Sequence, residues 1–231
     1  MGTGCRQDRD FKTPNTARGR SLSPRTGDCL RMRTSHTFDS SPDTSPEFFE
    51  SLYRQSEDPW DFRNSAYERY RYSDIVDGIS DRQYAAAFEP ACAIGELTAL
   101  LAPHCDSLIA MDCSAAAIES AKRRCSGFDH VEVHEGNLPG DLPGQTFDLI
   151  VFSELGYYFT PDELALLVAR LWTRLEPGGR LIACHWLGFS ADHRLHGSEV
   201  HATMDQVIRV PDDFDISNPG YALKRWTKPE G

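Results

Sequence analysis

Apolar strand-like segments and helical segments alternate along residues 84–187, and this alternation constrains the fold more than any other feature of the sequence. The strand-like segments are short and apolar, whereas the segments between them carry apolar residues at helical spacing. Strands that alternate with helices of about ten to fifteen residues are typical of a parallel, doubly wound sheet. The sequence therefore predicts an α/β fold with a mostly parallel sheet and an antiparallel edge strand.

Start and stop signals set the bounds of these elements. Ser45 is a candidate N-cap for the first helix, Pro161 begins the most periodic helix, and Pro177-Gly178-Gly179 ends it. We expect helices over 45–55, 64–79, 95–104, 115–125, 161–175 and 197–208, and strands over 84–90, 107–112, 130–136, 146–155, 180–187 and, at the sheet edge, 221–227.

The size and composition of the chain exclude several classes of protein. At 231 residues, one domain is the default. No apolar run approaches the ~20 residues that span a bilayer, and no secretory signal is visible, so we expect no membrane association. Seven cysteines without a CxxC pair or another metal spacing indicate reduced thiols and a cytoplasmic location.

Charge is unevenly distributed along the chain. The formal net charge of −11 argues against nucleic acid as a partner and favours a small neutral or cationic molecule. We expect the protein to be a monomer or a homodimer. Residues 1–44 carry eight Lys and Arg against five Asp and Glu, and they are rich in Ser, Thr, Pro and Gly without a period. We expect a disordered tail over 1–44 and one domain over 45–231, with a helical lid over 45–80.

The stretch FEPACAIGELTALLA, residues 88–102, reads as the end of a strand that turns directly into a helix. In an open parallel sheet, ligands bind beyond the carboxyl ends of the strands, so this turn is a candidate binding loop. A dinucleotide needs glycines that let its pyrophosphate approach the helix N-terminus, and Ala91 and Ala93 would crowd that approach. A nicotinamide cofactor is therefore disfavoured.

A nucleoside without phosphates places a weaker steric demand on this loop. S-adenosylmethionine carries an ammonium and a sulfonium group, which suit an acidic residue such as Glu89 at the mouth of the loop. Asp112 ends the next strand, where a carboxylate can accept hydrogen bonds from a ribose diol. Alanines in the loop are tolerable if their φ angles stay negative. The alternative is an ordinary strand–turn–helix corner with incidental acidic residues.

Longer motifs around these residues resemble class I methyltransferases, which have a Rossmann-like fold. EPACAIG followed by AMD resembles a degenerate form of their acidic-x-Gly-x-Gly-x-Gly motif, and FDLIVFSELGYY and LEPGGRLI resemble their fourth strand and the turn before their fifth. EDPW ahead of YERYRY narrows the similarity to the nodulation methyltransferase (NodS) family, over roughly 45–205. Members of that family methylate the amine of a chitooligosaccharide with S-adenosylmethionine. The family's first loop glycine is Ala91 here, and the similarity thins beyond about 187.

The resemblance implies a set of cofactor-binding residues. They are Trp60, Tyr67, Arg71, Glu89, Ala91, Gly95, Asp112, Asn137 and Ser153. The loop residues would surround the methionine and ribose, Asp112 would bind the ribose hydroxyls, and Asn137 would lie near the adenine. Trp60 and Tyr67 would close over the cofactor, although Trp60 is equally a candidate packing anchor. Arg71 is interpreted first as part of a solvated helix face, with a role as a carboxylate partner as the alternative.

Methyl transfer is an in-line displacement, so the main task of the site is to hold both partners at near-attack distance. An ammonium acceptor has no lone pair, so a carboxylate or a histidine must take its proton. The resemblance places Glu154, Tyr157 and Tyr158 where the sulfonium meets the acceptor. Topology makes His185 the best-placed imidazole, with a structural role as its alternative.

These observations together predict an S-adenosylmethionine-dependent methyltransferase that acts on a small polar acceptor. N-methylation of an amino-sugar-like or secondary-metabolite amine is the first hypothesis, and O-methylation is the nearest alternative. A cofactor-binding but inactive regulatory protein is a further alternative, suggested by the depleted loop glycines. The histidines at 185, 193, 196 and 201 match no common ligand spacing, so no metal is expected.

Overall fold

The structure is a computed structural model that describes residues 42–231. The tail predicted over 1–44 lies almost entirely outside the described residues. The helices are α1 (Pro46–Gln55), α2 (Ala66–Asp77), α3 (Glu96–Leu101), α4 (Ala115–Arg124), α5 (Pro161–Arg174) and α6 (Gly197–Ile208). The strands are β1 (Ala87–Pro90), β2 (Leu108–Asp112), β3 (Val131–Glu135), β4 (Phe147–Ser153), β5 (Leu175–Trp186), β6 (Phe214–Ser217) and β7 (Tyr221–Thr227).

The strands form one seven-stranded sheet in the order β3-β2-β1-β4-β5-β7-β6. The first five strands pair in parallel, and β7 runs antiparallel to β5. The order reverses between β1 and β4, and at such a point a crevice forms beyond the carboxyl ends of the strands. The predicted doubly wound, mostly parallel α/β fold is confirmed.

The antiparallel edge of the sheet differs from the prediction. Residues 221–227 form a strand as expected, but β7 lies between β5 and a shorter strand, β6, which is the true edge. β6 has the sequence FDIS, and its side chains alternate between half-buried and exposed. Four residues are too few for a clear period, which is why the sequence did not reveal this strand.

Apolar side chains cover both faces of the sheet. In β4, Ile150 and Phe152 belong to the cluster that contains α5 and α6, whereas Leu149 and Val151 belong to the cluster that contains α2 and α3. A strand buried on both faces reads as a continuous apolar run, as β4 does in the sequence. The two helical layers therefore fix the carboxyl end of β4, where the candidate site begins.

Helix α1 is fixed at its N-terminus and near its middle. The Ser45 hydroxyl accepts a hydrogen bond from the Phe48 N–H at 3.2 Å and caps the helix. The Glu50 carboxylate accepts hydrogen bonds from the Ser114 hydroxyl at 2.6 Å and from the Ala116 N–H at 3.1 Å. Glu50 thus fixes α1 over the start of α4, next to the end of β2.

Three findings concern membranes, metals and thiols. Among residues 42–231, no helix combines the length and the apolar character that crossing a bilayer requires. The same residues contain no group of three or more His, Cys, Asp or Glu side chains that could hold a metal ion. The cysteines described by the structure are free thiols: Cys92, Cys105, Cys113, Cys125 and Cys184.

Candidate active site

The turn between β1 and α3 adopts a left-handed backbone, although two of its positions are alanine. The φ angle is 58° at Ala91, 49° at Ala93 and 83° at Gly95. The expectation that the alanines keep negative φ angles is therefore wrong, because the tight bend from strand into helix sets the sign of φ. A left-handed backbone costs a residue with a Cβ about 1–2 kcal/mol. Gly95 is needed for a second reason, since a Cβ there would lie 3.0 Å from the Cα of Ala121.

Asp112, the predicted ribose ligand, supports this turn. Its carboxylate accepts hydrogen bonds from the Ala93 N–H at 2.9 Å and from the Ser114 N–H at 3.0 Å. The side chain is nearly inaccessible, and burial raises its pKa. Helix α1 covers it: burial and then the charge of Asp112 raise the pKa of Tyr53 in α1. The predicted contact with a ribose stays a prediction, and it requires α1 to move.

Glu89 is buried at the end of β1 and lines the cleft. Its carboxyl group accepts a hydrogen bond from the Thr98 hydroxyl at 2.6 Å. Burial raises the pKa of Glu89 to about 8, with the Thr98 hydrogen bond acting in the opposite direction. At neutral pH this residue therefore holds a proton, and a cation beside it would favour its ionised form.

Arg71 is buried, with 1% of its surface exposed, so the first interpretation of this residue as part of a solvated helix face is wrong. Its guanidinium donates to Glu68 through Nε at 3.0 Å and also through the second terminal nitrogen, and to the Ser153 hydroxyl at 2.8 Å. The Glu154 carboxylate lies 3.5 Å from the same terminal nitrogen that binds Ser153. Arg71 thus connects α2 with the end of β4.

Glu154 follows β4 and has a φ angle of 55°, a strained value for a residue with a Cβ. One carboxylate oxygen accepts the Trp186 N–H at 2.7 Å, and the other accepts the Tyr157 hydroxyl at 2.7 Å. About a fifth of the side chain (21%) is exposed. Residues held in such a conformation by several partners are common at functional sites, and Glu154 presents a fixed carboxylate to the cleft.

His185 is fully buried at the end of β5. Its Nε2 accepts the Gly156 N–H at 3.0 Å, and its Nδ1 lies 3.3 Å from Nε2 of His201. Burial lowers its pKa well below the usual range, so the ring is neutral. The structure favours the alternative, structural role of His185, because the ring meets no solvent and its acceptor nitrogen is occupied. It holds the turn at Gly156, where a Cβ would lie 2.4 Å from Val200.

The two predicted cofactor-closing aromatic residues make packing contacts. Trp60 packs edge-to-face against Tyr53 at 5.4 Å and stacks on Phe62 at 5.7 Å, measured between ring centroids. The Tyr67 hydroxyl donates to the carbonyl oxygen of Gly220 at 3.0 Å. Phe62, the neighbour of Trp60, is the residue from this segment that lines the cleft.

The cleft is small and open to solvent. It runs from the turn after β1 to the end of β4. Its lining residues are Phe62, Arg71, Tyr72, Glu89, Ala91, Cys92, Ala93, Ile94, Glu96, Leu97, Ser153 and Glu154. Of the predicted site residues outside this lining, Gly95 and Asp112 adjoin it, whereas Asn137 is exposed and bonds to Asp141 at 2.8 Å.

Sequence reasoning missed two functional candidates. Glu68, which pairs with Arg71, shares a buried helical stripe with Tyr72 and Ile75, and this spacing was a usable signal. His193 stacks on Tyr157 with ring centroids 3.7 Å apart and planes 16° apart. No sequence pattern identifies that contact, because His193 lies in an irregular segment between β5 and α6.

Comparison with known proteins identifies the family. The model of the family described as "Nodulation protein S (NodS)" matches residues 46–184, which is more than half of the chain. The chain belongs to the NodS family. Its sequence is 32% identical over 129 residues to nodulation protein S of Rhizobium tropici, an alignment that covers 55% of this chain. The chain spans about half the length of that relative, 54%.

Two further similarities concern the fold and the chemistry of relatives. The crystal structure of N-methyltransferase NodS from Bradyrhizobium japonicum, in complex with S-adenosyl-L-homocysteine, matches with a TM-score of 0.70 and 24% identity. The match covers 79% of this chain and 98% of that one. A trans-aconitate 2-methyltransferase of Deinococcus radiodurans is 33% identical over 108 residues, 47% of this chain and 40% of its own length. The NodS-like protein described here therefore has the fold of a methyltransferase.

Proposed function

We propose that this NodS-family protein is an S-adenosylmethionine-dependent methyltransferase that N-methylates a small polar acceptor, of the amino-sugar type. The observation that carries this proposal is the Glu154 carboxylate at the cleft. It is held by the Trp186 N–H and the Tyr157 hydroxyl, and part of it remains exposed. A fixed anionic group suits an amine, which is cationic before reaction, better than it suits an acidic acceptor.

The cleft fits the cofactor at the methionine end. Arg71 lines it and uses three of its nitrogens on Glu68 and Ser153, and a guanidinium has five N–H donors. A guanidinium that lines the cleft suits the carboxylate of a bound methionine moiety. Glu154 supplies negative charge for the ammonium and sulfonium groups, and Glu89 does so once a bound cation favours its ionised form.

At the nucleoside end, the fit depends on α1. Asp112 keeps free lone pairs beyond its two backbone hydrogen bonds, because a carboxylate can accept about four. These lone pairs suit ribose hydroxyls once α1 moves away. Asn137 is assigned near the adenine on the resemblance alone.

The bound cofactor would supply an electrophilic methyl group on a positively charged sulfur. The residues of the chain then act mainly by positioning, which is worth up to about 7–11 kcal/mol in a well-aligned displacement. Glu154 would orient the amine and stabilise its charge, and Tyr157 and Trp186 would keep Glu154 in place. Burial keeps the Tyr157 hydroxyl protonated by raising its pKa, so it acts as a hydrogen-bond donor.

The direct test measures binding and methyl transfer separately. Calorimetry with S-adenosylhomocysteine should show binding, and a glucosamine-terminated chitooligosaccharide should gain a methyl group on nitrogen from S-adenosylmethionine. Glu154→Gln should lower kcat/KM by about 100- to 1000-fold, since a buried partner charge is worth about 2–5 kcal/mol. The exposed Glu132→Gln variant, in β3, is the matched control.

Two alternatives give different results. The similarity to a trans-aconitate 2-methyltransferase favours O-methylation as the second candidate. Methylation of a carboxylate or hydroxyl acceptor, with no transfer to amines, would replace the amine proposal. Cofactor binding without methyl transfer to any acceptor would instead favour the cofactor-binding but inactive regulatory protein.

A further inference from the structure

The imidazole that borders the Glu154–Tyr157 pair is His193, and this residue has no role in the site as described so far. Its ring stacks on Tyr157 and lies edge-to-face against Tyr158 and Trp186, with distances between ring centroids of 5.4 and 6.0 Å. Tyr157 in turn donates its hydroxyl to Glu154. His193 therefore extends the wall that begins with the exposed carboxylate.

The backbone fixes His193 against this wall. The N–H groups of Arg194 and Leu195 both donate to the carbonyl oxygen of Tyr157, at 2.8 and 3.2 Å. The His193 N–H donates to Ser190 at 3.3 Å. The ring is half-buried, and its two nitrogens make no hydrogen bond to any of residues 42–231. The ring is thus held against Tyr157 while its nitrogens remain available.

We propose that His193 is a catalytic residue that accepts the proton of the acceptor ammonium. This role rests on the N-methylation proposed above. The N–H bond of the ammonium breaks, its electron pair stays on nitrogen, and the proton moves to a ring nitrogen of His193. That lone pair then forms the new C–N bond while the electron pair of the C–S bond returns to sulfur. The imidazolium afterwards releases its proton to solvent.

The charges around His193 suit this role. Burial lowers its pKa and His196 acts in the same direction, whereas Asp192 and Glu154 act in the opposite direction. The ring is therefore neutral at pH 7 and ready to accept a proton. Tyr157 and Tyr158 on the adjoining turn stay uncharged, because burial raises the pKa of both hydroxyls.

The other side chains near this wall that could accept a proton or carry charge already have hydrogen-bond or ion-pair partners. His185 is fully buried, and its Nε2 already accepts the Gly156 N–H. Both oxygens of Glu154 accept hydrogen bonds, and Arg71 lies 3.5 Å away, so Glu154 serves as the counter-charge of the ammonium. The guanidinium of Arg194 points to Thr44 and Pro42. His193 is the imidazole on this wall with free ring nitrogens.

The pH profile of amine methylation tests the proposal. The acceptor is the glucosamine-terminated chitooligosaccharide, the variants are His193→Gln and His193→Phe, and the control is His134→Gln, an exposed residue of β3. Initial rates are measured from about pH 6 to about pH 10. We expect both His193 variants to lose at least about tenfold in kcat/KM near pH 7 and to approach the wild-type rate where the amine is already neutral.

Two other outcomes distinguish failure of the His193 role from failure of the proposed function. The same fold-loss at every pH, or no loss at any pH, would overturn the role of His193 and leave N-methylation standing. If the wild-type protein binds S-adenosylhomocysteine but methylates no amine at any pH, the proposed function fails, and the role of His193 fails with it.

Discussion

The two ends of the cleft are built in different ways. At the β1–β2 end, a short strained turn is held by backbone hydrogen bonds to one carboxylate, Asp112. At the β4–β5 end, Arg71 of α2, the Tyr157 hydroxyl from the turn after β4 and the Trp186 backbone N–H at the end of β5 surround Glu154. The first end is local in sequence, and the second joins distant segments.

The two ends of the cleft also differ in the charged side chains that they hold. At the β1–β2 end, burial raises the pKa of both Glu89 and Asp112, and no cationic side chain of residues 42–231 pairs with either one. At the β4–β5 end, Arg71 lies among Glu68, Ser153 and Glu154. Among residues 42–231, the β1–β2 end therefore holds buried carboxyl groups without a cationic partner, whereas the β4–β5 end already holds one cation, Arg71, among its acidic side chains.

The largest effect should come from Arg71→Ala. This variant leaves the buried Glu68 and the partly exposed Glu154 without their cation, and breaking such a buried pair typically costs about 3–5 kcal/mol of stability. Urea unfolding measures the change. Arg69→Ala, an exposed position in the same helix, should change stability by less than about 1 kcal/mol.

The double variant Glu68→Gln/Arg71→Met keeps this prediction testable if Arg71→Ala does not fold. Removing both charges should recover part of the lost stability. An Arg71→Ala protein as stable as the wild type would show that the network at the β4–β5 end contributes nothing to the fold.

Asp112→Ala should weaken binding of S-adenosylhomocysteine by about 1.5–3 kcal/mol, because charge-assisted hydrogen bonds to the ribose are lost. Calorimetry gives the affinity, and urea unfolding of the same variant separates loss of binding from loosening of the turn. Asp129→Ala, in an exposed loop, is the control. Unchanged affinity would place the ribose elsewhere.

Glu89→Gln should change how stability depends on pH. The unfolded chain ionises Glu89 near its ordinary pKa of 4.5, whereas the folded chain holds the proton until about pH 8. The wild-type fold therefore loses stability as pH rises through this window, and glutamine cannot ionise. The stability advantage of the variant should grow from about pH 5 to about pH 8 and reach about 1 kcal/mol or more. A constant difference would show that Glu89 is ionised in the fold.

The smallest effect should come from Ala91→Gly. Glycine adopts a φ of 58° without strain, so the variant should gain about 0.5–1 kcal/mol in stability and bind the cofactor equally well or slightly more tightly. Ala169→Gly in α5 is the matched control, where the same change should cost about 1 kcal/mol. A destabilised Ala91→Gly protein would mean that the alanine methyl group makes a contact the turn needs.

More of the β1–β2 end than of the β4–β5 end could be predicted from the sequence. Glu89, the turn and Asp112 follow strand ends directly, so topology alone brings them together. The sign of φ at Ala91 and Ala93 could not be predicted, because the fold imposes it on residues that disfavour it. Arg71 reaches Ser153 across 82 positions, a contact that no local pattern contains.

The burial of His185 had a signal that the prediction did not use. Side chains of a strand alternate between faces, so position 185 lies on the same face as Leu181 and Ala183, which are buried against α5 and α6. The apolar run LIACHWL already indicated this. His193 had no comparable signal, since it lies outside the helices and strands.

The contact of Glu50 with the start of α4 occupies a helix N-terminus that could otherwise bind an anion. The N-terminus of a helix normally attracts anions, but here a carboxylate from α1 already accepts the Ser114 hydroxyl and the Ala116 N–H. Together with Asp112, it places two acidic side chains at the end of β2. While α1 holds this position, a phosphorylated ribose would meet electrostatic repulsion at the end of β2.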